Sequence, residues 1–237
     1  MAMPRLWCRR SLVATTVLLS AAALWPALVH GHPMSDQNAT FVQSIQGRAM
    51  AAFMYLGAKH MVTGYDHLLF LVGVIFFLHR LKDVVLYVSL FTIGHSLTLL
   101  VGVLGGLRAN PFVIDAIIGL SVVYKAFENI GGLERLGRLR PNTKVAVLVF
   151  GLFHGLGLAT KLQEFTLARE GLIPNIVSFN VGVEIGQVLA LAGVLIVFTY
   201  WRSRESFRRH AFVTNTALMA GGLVLAGYQI VGYLVVS

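Results

Sequence analysis

Apolar residues dominate this chain in a series of long runs separated by short polar turns. The first run, Ala49 to Leu78, is 30 residues long, whereas a straight membrane crossing needs only ~20. The excess, with Gly57 and Gly64 inside it, predicts an interfacial or re-entrant helix that breaks near Gly64, ahead of a first span over 64–79. Five further spans are predicted at Val84–Leu104, Phe112–Ile130, Thr143–Thr160, Asn175–Trp201 and Ala211–Val236. The expected fold class is an all-α membrane protein, a six-span transmembrane helix bundle occupying 49–237 as one domain.

The N-terminus has a different pattern. Arg5, Arg9 and Arg10 precede the apolar stretch Ser11 to Leu24, which together read as the n- and h-regions of a signal peptide over 1–31. Cleavage after Val29-His30-Gly31 would start the mature chain at His32-Pro33, where a free amine and an imidazole can together chelate a metal. Residues 32–48 form a polar extracytoplasmic lead-in.

Composition sharpens this picture. Hydrophobic residues make up 57% and charged residues 12%, against roughly 25% charged in an average globular domain. The formal charge of +9 could suggest nucleic acid. Its cations instead lie in short loops between apolar runs, as cytoplasmic loops require, so no nucleic-acid partner is expected and the partners are membrane lipid and a metal ion. With the mature N-terminus outside, one side holds Arg80, Lys82, Arg135, Arg138, Arg140, Lys144, Arg202, Arg204, Arg208 and Arg209. The other side holds Arg48, Lys59, Arg108, Lys161 and Arg169. This asymmetry gives a multi-pass membrane protein with its mature N-terminus on the outer side. The single cysteine, Cys8, falls in the signal peptide, which excludes a disulfide framework and a thiolate metal site.

Ionisable groups inside a bilayer cost ~2.5 kcal/mol or more at mid-depth and mark function. His60, Asp66 and His67 open the first span. Asp66 reads equally as a helix N-cap. In an unbroken helix His60 and His67 would stand two turns apart, about 10.5 Å, too far to share one ion, so sharing requires the break at Gly64. His95, within FTIGHSLTL, is a ligand, a proton relay or an interhelical hydrogen-bond donor. Asp115 has no local cation, whereas Lys125 and Glu128 are spaced to pair on one helix. His154 lies in FGLFHGLGLA, where Gly151 and Gly155, like Gly182 and Gly186 in the next span, are spaced for close helix packing. In FNVGVEIGQ, Asn180, Glu184 and Gln187 fall at i, i+4 and i+7, near one helical face. Lys125 and Glu128 are expected near the inner end of their span, whereas Asp66, His67, Asp115, His154, Asn180 and Glu184 are expected in the outer half of the membrane and His95 and Gln187 near its middle, which predicts one outward-facing polar cavity.

The His60-x5-Asp66-His67 arrangement, FTIGHSLTL, FGLFHGLGLA and FNVGVEIGQ together resemble the HupE/UreJ family of bacterial membrane proteins, closest to its second branch, over about His60 to Tyr200. The resemblance implies a six- to seven-span inner-membrane protein, often accessory to hydrogenase or urease, acting as a nickel or cobalt permease. It implies metal handling by His60, Asp66, His67 and His154. The better-characterised branch carries a glutamate shortly after the fourth-span histidine. Here Thr160 and its neighbours offer none and the next acid is Glu164, so Glu184 is the expected substitute.

The function expected is transport of a divalent transition metal, nickel first, with cobalt, copper and zinc as alternatives, and with no tightly bound cofactor. His32, His60, Asp66 and His67 would capture the ion, and His95, His154 and Glu184 would pass it inward, with Asp115, Asn180 and Gln187 in support. Uptake should weaken as pH falls through the imidazole range, because ligand histidines bind metal when neutral. No GxxxxGK[ST] motif is present, so no use of ATP is expected. Two rivals stand beside transport. One is a non-transporting accessory protein that serves a metalloenzyme maturation system. The other is an intramembrane zinc hydrolase, disfavoured because HExxH is absent and the histidines lie on separate helices.

Overall fold

The computed structural model describes residues 47–134, 137, 141–163 and 170–236. The signal peptide at 1–31, His32 and the lead-in as far as residue 46 lie outside the described residues. Among the described residues there are seven α-helices and no strand. They are α1 (Met50–Thr63), α2 (Tyr65–Ile75), α3 (Leu81–Gly105), α4 (Pro111–Asn129), α5 (Thr143–Leu162), α6 (Leu172–Arg202) and α7 (Glu205–Val236).

Local chemistry sets several of these ends. Asn110 caps α4, its side chain accepting from Val113 N at 3.3 Å, with Pro111 in the first turn. Asn142 caps α5 through Lys144 N at 2.9 Å. Both satisfy N–H groups that have no partner inside the helix. Gly106, at φ +66°, ends α3 in the left-handed conformation that glycine adopts without steric cost.

Four helices, α3, α5, α6 and α7, are long and apolar enough to cross a membrane. α4 has 19 residues but carries Asp115, Lys125 and Glu128. α2 has 11 residues, a rise of about 16 Å, roughly half of a bilayer core. Where a first span over 64–79 is expected, the structure has this 11-residue helix. The break at Gly64 is present, and the helix beyond it is too short to cross alone. Two other helices start earlier than their apolar runs suggest, α6 at Leu172 and α7 at Glu205.

The bundle is organised in three close pairs, each joined at glycine. Gly182 and Gly186 of α6 lie against the Met54 and Ala58 carbonyls of α1, and Gly57 of α1 lies against the Phe179 carbonyl. Residue numbers rise together, so α1 and α6 run parallel. Gly94, Gly151 and Gly155 bring α3 and α5 together in the same sense, against the Leu148, Phe91 and His95 carbonyls. Gly119 and Gly222 join α4 to α7, which run antiparallel. The expectation that Gly151, Gly155, Gly182 and Gly186 serve close packing agrees with this geometry. In lipid, where apolar burial gives little drive for association, such backbone contact supplies it.

Two apolar cores are stacked along the bundle. One is built from Phe53, Leu56, Met61, Leu99, Val103, Leu158, Leu162, Ile176, Phe179 and Val183. The other holds Phe70, Leu71, Val74, Ile75, Val84, Phe91, Val122, Val147 and Leu218. His67, His95 and His154 fall between the two sets on α2, α3 and α5. Polar ties lie beyond the second core. Lys125 pairs with Glu128 at 2.6 Å, and Thr143 bonds the same carboxylate. Asn129 donates to the Gly73 carbonyl and to Asn215, both at 2.8 Å. Arg202 donates to the Ile75 and Phe76 carbonyls where α2 ends.

A methyl group at Gly182 would collide with the Met54 backbone. Overpacking of this kind typically costs 1–3 kcal/mol. Gly182→Ala is expected to lower the thermal unfolding midpoint in detergent, measured by circular dichroism, while the equivalent change at Gly193, which faces open space, leaves it in place.

Candidate metal centre

The polypeptide leaves helical geometry at one residue in this region. Gly64 has φ −72° and ψ 102°, so α1 stops at Thr63 and α2 restarts at Tyr65. Gly64 N donates to the His60 carbonyl at 2.8 Å, and Leu68 N donates to the Gly64 carbonyl at 3.0 Å. This bend brings His60, at the end of α1, and His67, at the start of α2, to a ring separation of 5.2 Å. Asp66 is not an N-cap. It lies in the first turn of α2 and Gly64 holds the cap position.

Two further helices complete the cluster. The His154 ring from α5 is 4.8 Å from His67, and the His95 ring from α3 is 5.7 Å from it. His60, Asp66, His67, His95 and His154 are all buried. One ligand atom each from Asp66, His67 and His154 fall within 4.8 Å of one another. Two donors on one ion, each at about 2.1 Å, stand no more than ~4.2 Å apart. Small side-chain movements would therefore close this trio around a cation. His60 and His95 flank it through the rings of His67.

Side-chain contacts hold two of the rings in place. His67 Nδ1 lies 3.1 Å from Asp66 Oδ1. This contact orients the His67 ring and the Asp66 carboxylate toward each other. Ser121 Oγ donates to the Ile118 carbonyl at 2.6 Å and sits 3.4 Å from His154 Nε2. With its proton committed to the Ile118 carbonyl, the hydroxyl is placed to accept from Nε2–H, a tautomer whose lone pair lies on Nδ1. A carboxylate or hydroxyl behind a ligating imidazole is the usual arrangement for fixing its tautomer. Ser121 is not distinguished by the sequence; its i−3 bond within an apolar helix gives no separate signal.

Phe70 and Phe91 wall the cluster on the side of the second core. Phe91 stands 5.0 Å from the His154 ring and 6.1 Å from that of His95. A cavity of about 10 Å³ lies alongside, lined among others by His67, Phe70, Tyr87, Phe91 and Gln187, close to the least volume that holds one water.

One family model, described as HupE / UreJ protein, matches residues 36–237. The chain belongs to the HupE/UreJ family. No curated protein and no solved structure matches it. In this HupE/UreJ chain, several of the residues singled out from sequence take other places. Glu184 is exposed on the outer surface of α6 and is not in the cluster. Asn180 and Gln187 lie about 20° apart around a helix, whereas Glu184 lies about 40–60° away from both, enough to carry it off the buried stripe. Asp115 does have a cation, Lys161 Nζ at 2.8 Å, because α5 extends to Leu162 and carries that lysine back to α4. Gln187 accepts from Thr92 Oγ1 at 2.9 Å and so ties α6 to α3. Asn180 is buried beside this region. His32 lies outside the described residues. Asn175 carries a role that its place in the sequence does not signal. It holds the start of α1, accepting from Ala49 N at 2.8 Å and donating to the Gly47 carbonyl at 2.9 Å.

A Cβ at Gly64 would stand 3.0 Å from His67 Nδ1 and 3.3 Å from Asp66 Oδ1. Gly64→Ala leaves an accessible backbone angle but crowds the pair, and it is expected to weaken metal binding by about tenfold or more. Asp66→Asn, which removes the carboxylate of the trio, is expected to weaken it at least as much as the ~10–100-fold lost with an outer-shell partner. Isothermal titration of the purified protein with Ni²⁺ measures both. Glu184→Gln is expected to bind within about twofold of wild type.

Proposed function

We propose that this protein moves a divalent transition metal, nickel first, across the bacterial inner membrane. The observation that carries this reading is the buried trio Asp66, His67 and His154, with donors within 4.8 Å of one another, held at a break in a helix. Imidazole and carboxylate donors suit Ni, Co, Zn and Cu(II). Membership of the HupE/UreJ family supports metal handling. The metal is cargo rather than a resident cofactor, and the site passes an ion on instead of turning over a substrate.

In this proposal α1 and α2 are the two halves of one discontinuous span. With α3 to α7 they make six spans. Discontinuous helices place their ion sites near the bilayer midplane, where half-helix C-terminal ends and unwound carbonyls help hold a cation. His60 at the end of α1 and the carbonyls around Gly64 fit that role. In the proposed orientation the mature N-terminus is periplasmic, and Arg80, Lys82, Lys144, Arg202, Arg204, Arg208 and Arg209 fall on the cytoplasmic side, in keeping with the positive-inside rule. The ion enters past His60, rests on Asp66, His67 and His154, and leaves past Phe70 and Phe91 toward Lys125 and Glu128. That exit requires side-chain movement, since the second core closes the way.

Uptake into proteoliposomes, compared among Ni²⁺, Co²⁺, Cu²⁺ and Zn²⁺, tests the proposal. His67→Ala is expected to abolish uptake while the protein remains in the membrane at wild-type level. Undiminished uptake in that variant would sink the proposal.

A further inference from the structure

The end of the bundle opposite the start of α1 carries a feature that metal handling does not use. The turn between α6 and α7 meets the turn between α2 and α3 around a cavity of about 690 Å³, lined by Phe77, His79, Arg202, Ser203, Arg204, Glu205, Phe207 and Arg208. Three guanidinium groups and one imidazole face a single carboxylate. Arg202 Nε is buried and has no hydrogen-bond partner among the described residues, although the Nη2 of the same group donates to the Ile75 and Phe76 carbonyls. Arg204 reaches Tyr200, through a 2.8 Å bond to its hydroxyl and a 4.9 Å approach to its ring. The first turn of α7 opens on the same space, and its N–H groups favour an anion.

A second cavity, about 350 Å³, shares Phe77, Phe207 and Arg208 with the first and continues past Ile130, Ala211 and Phe212. Its walls are mostly apolar, and Phe77 and Phe212 are exposed on the surface of the bundle. A charged pocket running into an apolar groove has the shape of an amphiphile. A free phosphate or nucleotide would account for the first cavity and leave the second unexplained.

We propose that this pair of cavities binds one anionic phospholipid, its phosphodiester held by Arg204, Arg208 and Arg202 and its acyl chain lying along Phe77, Phe207 and Phe212. Basic pockets between helices on the cytoplasmic side of membrane proteins take anionic headgroups in this way. Ser203 and Glu205 can accept from headgroup hydroxyls, which favours a glycerol headgroup such as that of phosphatidylglycerol. Arg202 also joins the lipid pocket to the end of α2, the helix that presents Asp66 and His67 at its other end.

The test uses the purified full chain, delipidated in detergent and titrated with phosphatidylglycerol or phosphatidylcholine under native mass spectrometry. One phosphatidylglycerol is expected to be retained at least tenfold more tightly than phosphatidylcholine. Arg204→Ala with Arg208→Ala should remove that preference. Both side chains are exposed, so the fold should persist, as circular dichroism would verify. A control that removes the same charge elsewhere, Lys82→Ala with Lys144→Ala, should keep the preference within about twofold. Equal loss in the control, or undiminished preference in the arginine variant, would show general charge attraction and overturn the site. Inorganic phosphate that blocks Arg204 and Arg208 without any phosphatidylglycerol preference would overturn the lipid assignment.

Discussion

The whole arrangement depends on one constraint: polar groups buried between two apolar cores must be brought together, and a continuous helix cannot do it. His60 and His67 belong to one apolar run. Had that run formed a single helix, two full turns would separate them and an ion could reach only one. The extended ψ at Gly64 converts that separation into a ring contact. It also turns the two helix ends toward each other, so that His60, Asp66 and His67 meet His95 and His154 from the α3–α5 pair. Glycine is suited to this point for its size, because any side chain there would press on His67 Nδ1 and Asp66 Oδ1.

The glycines elsewhere act through the same property at the level of whole helices. Gly155 lies against the His95 carbonyl, and each of these two residues is beside a cluster histidine or is one. Gly57, Gly182 and Gly186 hold α1 along α6 and so fix where the chain arrives at His60. Helix packing and the histidine cluster are thus one structure. The close pairs set the positions of α1, α3 and α5, and the break in the chain lets α2 enter among them.

Much of this is legible in the sequence. The apolar runs point to an all-helical membrane chain, the excess length of the first run together with Gly64 points to the break, and the motifs around His95 and His154 point to those histidines and to the glycine packing. The features that are not legible depend on angular phase and on length at helix ends. Glu184 shares a rough face with Asn180 and Gln187, and a difference of about 40–60° decides that it faces outward. Lys161 reads as a loop residue, and two more residues of α5 turn it into the partner of Asp115. Asn175, Ser121 and Asn215 make their bonds to backbone or to single side chains, contacts that no spacing rule signals in advance.

The central claim is that imidazoles from separate helices, brought together by the break at Gly64, bind one metal ion. X-ray absorption fine structure on the protein loaded with one equivalent of Ni²⁺ tests it most directly. The account predicts a first shell of nitrogen and oxygen with the outer-shell scattering of at least two imidazoles and no sulfur. A spectrum of oxygen ligands alone, without imidazole scattering, would contradict it.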